Sequence, residues 1–194
     1  MSTSIPVDET VIAEAATRLG DGGLVAFPTE TVYGLGADAR NDEAVARIFA
    51  AKERPRFNPL IVHVADRSAA EVFGAFTDNS RAIADHFWPG PLTLVLPCRP
   101  DCGLSLLVSA GLDTVALRVP AHPLAQELLA RFAGPVAAPS ANRAGEISPT
   151  RAVHVTDSLG DAVGLVLDGG DCIVGLESTV LDLCGARPAI LRHG

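Results

Sequence analysis

The 194-residue sequence has no apolar run near the ~20 residues that a membrane-spanning helix requires. Its first residues, Met1-Ser-Thr-Ser-Ile-Pro-Val-Asp-Glu, lack the basic region and apolar core of a secretory signal. A cytoplasmic protein without membrane contact is therefore expected. Basic residues are in deficit, giving a formal net charge of -8, which argues against tight, general nucleic-acid binding through many phosphates. Cysteine is scarce. Cys98 and Cys102 lie in a Pro-containing loop with no matching Cys/His pair, so a zinc site is weak, and Cys98, Cys102, Cys172 and Cys184 read as scattered reduced thiols. No internal repeat, low-complexity linker, G-x-x-x-x-G-K-[ST] loop, H-E-x-x-H helix or G-x-S-x-G elbow occurs. The run Gly34-Leu-Gly-Ala-Asp-Ala fits a loose G-x-G-x-x-A pattern. No acidic residue follows at the distance that a dinucleotide fold needs.

What is present suits a folded domain. The hydrophobic fraction of 48% is enough for a substantial core. Helical and strand patterns alternate. Helices are expected over 8–19 (with Asp8 as N-cap and Gly20 after the end), from Asn41 or Asp42 to near Lys52, and over 67–75, 79–87, 122–132 and 149–159. Strands are expected at Leu24–Phe27, Leu60–Val64, Leu92–Leu96, Val115–Val119, Val136–Ala138, Leu165–Leu167, Ser178–Leu183 and Ile190–Arg192. This is an α/β chain around a mixed sheet, where ligands are expected outside the carboxyl ends of strands.

Polar residues interrupt or end these apolar strands. Thr29 and Thr31 leave the first. Lys52 and Arg54 form a cationic hook that Pro55 closes. His63 lies between Val62 and Val64, and Thr114 and Arg118 bracket Val115-Ala-Leu. Ser140 and Asn142 follow Val136-Ala-Ala-Pro, Ser178 precedes Val180, and Arg192 ends Ala189-Ile-Leu. Each has a plain structural reading. Lys52 complements a helix dipole, His63 is a hydrogen-bonded core residue, Arg118 joins an internal salt bridge, and the hydroxyls serve the backbone. Together they suggest a pocket for a charged ligand, because a buried charge is costly unless paired.

At these residues the chain resembles the YrdC-like family of threonylcarbamoyl-AMP synthases, in its short TsaC type. The matching pieces are PTETVYGLGADA, KERPRFNPLIVHV, FWPGPLTLVL, TVALRVP, APSANRAGEISPT, LESTVLDL and ILRHG, in that order, spanning about Ile12 to Gly194. The resemblance implies an α/β fold, a twisted mixed β-sheet with flanking helices and a large open concave cavity. It implies a single YrdC-like domain over residues 1–194, without the C-terminal domain of longer members. The implied reaction turns L-threonine, bicarbonate or CO2, and ATP into threonylcarbamoyl-AMP and pyrophosphate. The product is handed to the proteins that modify tRNA beside the anticodon, with weak or no direct tRNA binding by this chain.

By the same resemblance, Lys52, Arg54, Ser140 and Asn142 are the catalytic set. Thr31, His63, Arg118, Ala138 (through its backbone) and Ser178 bind threonine. Lys52, Arg54, Asn58, Thr114, Ser140, Asn142, Ser148 and Arg192 bind ATP. Magnesium is expected to accompany the nucleotide, with no metal held by the protein itself. Two departures stand out: Arg192-His-Gly where R-P-G is frequent, and Ala144 where serine is common. Three other readings are an inactive paralogue, a carbamoyl-transferring relative of hydrogenase maturation proteins, and a non-catalytic RNA-binding module. The cluster Lys52, Arg54 and Arg56 mildly favours the last.

Overall fold

Short apolar runs broken by Pro, Gly and Asx caps fold into a mixed sheet with helices on both faces. The structure, a computed structural model, describes residues 4–6, 8–55 and 57–194. Arg56 lies outside the described residues. In chain order the elements are β1 (Ser4–Pro6), α1 (Glu9–Gly20), β2 (Val25–Phe27), β3 (Gly34–Asp38), α2 (Asp42–Lys52), β4 (Ile61–His63), α3 (Arg67–Ala70), α4 (Asp78–Phe87) and β5 (Leu92–Pro97). There follow α5 (Leu106–Ser109), β6 (Thr114–Arg118), α6 (Pro123–Phe132), β7 (Val136–Ala137), α7 (Ala152–Leu159), β8 (Leu165–Asp168), β9 (Thr179–Asp182) and β10 (Ala189–Arg192).

Among the described residues ten strands form one sheet in the order β1-β8-β2-β3-β7-β4-β6-β5-β9-β10. β4 and β6 run parallel, with His63 paired to Arg118. β7 is antiparallel to β4, β5 is antiparallel to β6, and β9 is parallel to β5. Residues from all these strands therefore meet across the middle of the sheet. Two buried clusters cover it. Ile12, Leu19, Leu128 and Leu129 of α1 and α6 pack on Val25, Phe27, Val136 and Leu167. A larger cluster joins Ile48 and Phe49 to Val62, Leu94 and Leu117. Among the described residues no helix is long and apolar enough to cross a membrane.

The helix starts follow their caps. Asp8 accepts from the amides of Thr10 and Val11, and Asn41 from those of Glu43 and Ala44. Gly20 is the last helical residue of α1 and not the residue after it. Two expected helices are shorter. Residues 71–75 leave the helix because Gly74 pairs with Cys98 beside the sheet. Residues 149–151 stay outside the helix because the Pro149 and Thr150 carbonyls accept from Tyr33 and Cys172. β1, β3 and α5 were not expected from the pattern.

β3 reads as a glycine-rich loop because Gly-Leu-Gly-Ala-Asp has no period-2 alternation. Its glycines are a packing requirement. A Cβ on Gly36 would stand 2.8 Å from Phe27 Cε1 and 2.9 Å from Val136 Cγ1. Gly36→Ala is expected to lower stability by about 1–3 kcal/mol, through overpacking of β2 against β7. Urea unfolding measures this, and an unchanged midpoint would show that the two side chains yield freely.

Candidate functional site

Period-2 alternation decides which strand residues face the site. A cleft of about 700 Å³ lies along one face of the sheet, lined by Ile61 and His63 of β4, Thr114, Ala116 and Arg118 of β6, Val95 of β5, and Val180 and Asp182 of β9. The intervening residues Val62, Val115, Leu117, Leu94 and Leu96 are buried in the core on the other face. The cleft therefore lies across the sheet face, and not simply beyond the carboxyl ends of strands as the general α/β rule predicts. The reason is that the sheet is mixed: β5, β7 and β9 run opposite to β4 and β6, so strand ends reach the cleft from both directions. The residues that the resemblance assigns to catalysis, threonine or ATP all line this cleft: Thr31, Lys52, Arg54, Asn58, His63, Thr114, Arg118, Ala138, Ser140, Asn142, Ser148, Ser178 and Arg192.

Lys52 ends α2, where its charge complements the helix dipole, and only 1% of it is exposed. Glu53, in the left-handed region at φ 52°, stops the helix and turns the chain into Arg54-Pro55. Lys52 Nζ donates to the Ser140 carbonyl at 2.5 Å and to the Asn142 carbonyl. One side chain thus shapes the loop that follows β7. Burial, with the nearby Arg54 charge, pulls the ammonium down to about 8. Arg54 donates to the Pro59 carbonyl at 3.3 Å, and its Nε is buried without a partner. Burial and the Arg192 charge lower its pKa. Arg192 reaches back to Ser178, with Nε on the carbonyl at 3.0 Å and Nη2 on Oγ at 3.1 Å. Among the described residues no carboxylate comes within ion-pair distance of Lys52, Arg54 or Arg192. That arrangement suits a polyanion.

Arg118 is different, since it carries the internal salt bridge that the sequence left open. Nη2 donates to Glu30 Oε1 at 2.7 Å, Nη1 to Thr31 Oγ1 at 3.0 Å and Nε to the Gly90 carbonyl at 3.2 Å. The Trp88-Pro-Gly-Pro turn presents that carbonyl. A Cβ at Gly90 would stand 2.3 Å from the Phe87 carbonyl oxygen, so only glycine fits. Thr29 donates its hydroxyl to the Val32 carbonyl at 2.7 Å, so Thr31, 2.8 Å away, donates to Thr29 while accepting from Arg118. Both threonines therefore serve backbone and arginine as well as lining the cleft.

His63 is fully desolvated beside Arg118. Burial and that charge hold it down to about 3, and its Nδ1 has no partner. It is a neutral imidazole and a poor proton acceptor near neutral pH, which counts against its use as a general base. Ala138 donates its amide to the Ile61 carbonyl at 2.9 Å, so a ligand contact through its backbone falls on the carbonyl. The Asn142 amide nitrogen holds the carbonyls of Arg143 and Glu146, while Oδ1 has no partner. Asn58 and Thr114 line the cleft from the loop before β4 and the start of β6.

Three site residues were not legible in advance. Glu30 backs Arg118. Glu177 accepts from the Ser148 hydroxyl, which lowers its pKa, with a smaller pull from Arg192. Thr93 Oγ1 is 2.7 Å from Ser178 Oγ. The available signal was an acid embedded among hydroxyls, in Thr29-Glu-Thr and Glu177-Ser-Thr. Among the described residues no three His, Cys, Asp or Glu side chains converge to hold a metal ion. The cysteines are free, with Cys98 and Cys102 sulfurs 3.3 Å apart.

Comparison with known proteins covers nearly the whole chain. Residues 17–194 match the family model of Sua5, YciO and YrdC proteins, described as telomere recombination. The threonylcarbamoyl-AMP synthase of Bacillus subtilis is 48% identical over 195 residues, covering 100% of this chain and 56% of that protein. The Pyrococcus abyssi synthase is 47% identical over 189 residues, covering 97% of this chain and 55% of that one. The crystal structure of P. abyssi Sua5 complexed with L-threonine superposes with a TM-score of 0.93 at 46% identity, covering 99% of this chain and 56% of that one. Escherichia coli YciO, at a TM-score of 0.89 and 23% identity, shares the fold. The chain spans about half the length of these two synthases. With its sheet and nearly all of its length matched, the chain belongs to the Sua5/YciO/YrdC family.

Proposed function

We propose that this cleft joins L-threonine, CO2 or bicarbonate, and ATP into threonylcarbamoyl-AMP, with release of pyrophosphate. The observation that carries the reading is the trio Lys52, Arg54 and Arg192, cations with no carboxylate within ion-pair distance among the described residues, in one cleft with the paired Arg118. Identity of 47–48% to two threonylcarbamoyl-AMP synthases supports it.

In this reading Arg118 takes the threonine carboxylate, with Thr31, His63, Ala138 and Ser178 around the amino acid. The amine loses a proton and captures CO2 as a carbamate. A carbamate oxygen then attacks the α-phosphorus, and the bond to the bridging oxygen of pyrophosphate breaks. Lys52 and Arg54 hold the charge that accumulates on the phosphates, helped by Arg192, while Ser140, Asn142, Asn58, Thr114 and Ser148 orient the nucleotide. Magnesium would come with the nucleotide and would help to neutralise the phosphate charge that Lys52 and Arg54 face. The product then passes to the proteins that transfer it to tRNA in the cytoplasm.

The test is pyrophosphate release by the purified protein with ATP, magnesium, bicarbonate and L-threonine, leaving out one at a time. Release is expected to require threonine and bicarbonate together. Release indifferent to threonine would move the assignment to a carbamoyl-transferring relative. Salt-sensitive RNA binding without turnover would move it to an RNA-binding module.

A further inference from the structure

We infer that Glu30 is the positioning residue that aims Arg118 at the carboxylate of the amino-acid substrate. The inference rests on the reading of the cleft given above. It starts from a count of donors. A guanidinium has five N–H groups. Three are committed inside the protein: Nε to the Gly90 carbonyl, Nη1 to Thr31 and Nη2 to Glu30. One N–H remains on each terminal nitrogen. These are the donors that Arg118 can offer a ligand, and a carboxylate accepts such a pair through its two oxygens. Their direction is set by whatever fixes the plane of the guanidinium.

Glu30 is built to do this. It is 5% exposed and Arg118 is 3% exposed, so water does not compete for the pair. Oε1 accepts from Arg118 at 2.7 Å, and Oε2 accepts from the Ala121 amide at 2.9 Å, just beyond the end of β6. One carboxylate therefore ties the arginine head group to the chain beyond its own strand. Its own backbone is held as well, because the Glu30 carbonyl accepts from Val174 at 2.9 Å and the Thr31 carbonyl from Gly175 at 3.0 Å.

The chemistry selects glutamate. Two donors converge on the two oxygens, and a glutamine amide has only one acceptor oxygen. In Glu30→Gln an NH2 must face either Arg118 or the Ala121 amide, donor against donor, and the guanidinium turns away. Glu30→Asp keeps the buried charge but is one methylene short of spanning both partners.

Calorimetric titration with L-threonine and, separately, with ATP tests the inference, alongside the unfolding midpoint of each variant. In Glu30→Gln, threonine affinity is expected to fall roughly 10- to 100-fold, as for a lost charged hydrogen bond and a misaimed receptor. ATP affinity is expected to stay within about 2-fold, because the lost contact concerns one ligand only. Glu30→Asp is expected to lie between Glu30→Gln and the unaltered protein for threonine, and it carries the test if Glu30→Gln does not fold. Equal losses for both ligands, or threonine binding unchanged in a folded variant, would overturn the positioning role. Failure of the unaltered protein to bind threonine would overturn the proposed function and this inference with it.

Discussion

Lys52→Met is expected to lower turnover about 10²- to 10³-fold, the scale seen when one pre-placed donor to developing charge is removed. Lys52 is a strong candidate for so large an effect because it has two duties. Its ammonium holds the Ser140 and Asn142 carbonyls, leaving one N–H for a ligand. Methionine keeps much of the buried stem but leaves both carbonyls short of a donor, at about 1–3 kcal/mol each. Urea unfolding reads that part separately from the kinetic loss. The pH dependence follows from the direction of the shift. With the ammonium drawn down to about 8, its charge disappears sooner than that of an ordinary lysine. The kcat/KM for ATP, which reports the free enzyme, is expected to fall as pH rises through about 8. Bound phosphates favour the charged form, so the fall in kcat should come at higher pH. Lys52→Arg should lack the limb altogether.

The stability effect of Lys52 has the opposite sign. The unfolded chain keeps its proton up to the ordinary value of 10.5, so between about 8 and 10.5 it binds more protons than the folded chain. Over that window this residue's contribution to stability improves with rising pH, while activity declines. Full activity in a folded Lys52→Met protein would remove the electrostatic role proposed for this residue.

Arg118→Met is the second large effect, and it acts on fold and ligand together. Removing one partner of a buried ion pair leaves the Glu30 carboxylate uncompensated, which costs about 3–5 kcal/mol. Threonine binding is expected to weaken by at least about 30-fold, the lower end for truncating a buried charged partner. The two losses can be separated. Adding Glu30→Gln to Arg118→Met removes the stranded charge, so part of the stability should return while threonine binding does not. Thermal unfolding and calorimetry on both single variants and the double variant form the cycle. Recovery of threonine binding in the double variant would show that Arg118 is a structural partner of Glu30 and does not receive the substrate.

Much of the architecture was legible because the controlling interactions are local. Asp8 and Asn41 cap the amides two and three residues ahead. Pro55 and the left-handed Glu53 stop α2 where the cationic hook begins. Apolar runs such as Leu92–Leu96 and Val115–Leu117 fall in the strands β5 and β6. β3 failed this reading for a physical reason. Its identity as a strand comes from neighbours that approach too closely for any side chain at Gly36, and nothing within its five residues encodes those neighbours. Helix ends over 71–75 and 149–151 failed likewise, since bonds to Cys98, Tyr33 and Cys172 outweigh local helical preference.

By itself, the order of residues determined an α/β chain with capped helices and a recurrent placement of hydroxyls and cations where apolar strands end. Those features depend on contacts within a turn or a strand, so neighbours in sequence suffice. Only the tertiary structure decided that Glu30 pairs with Arg118 across 88 positions and that Lys52 binds carbonyls 88 and 90 positions away. It also decided that His63 and Arg118 stand side by side on one face of the sheet. Strand order and register select those partners, and a one-residue slip would turn the same side chains to the opposite face.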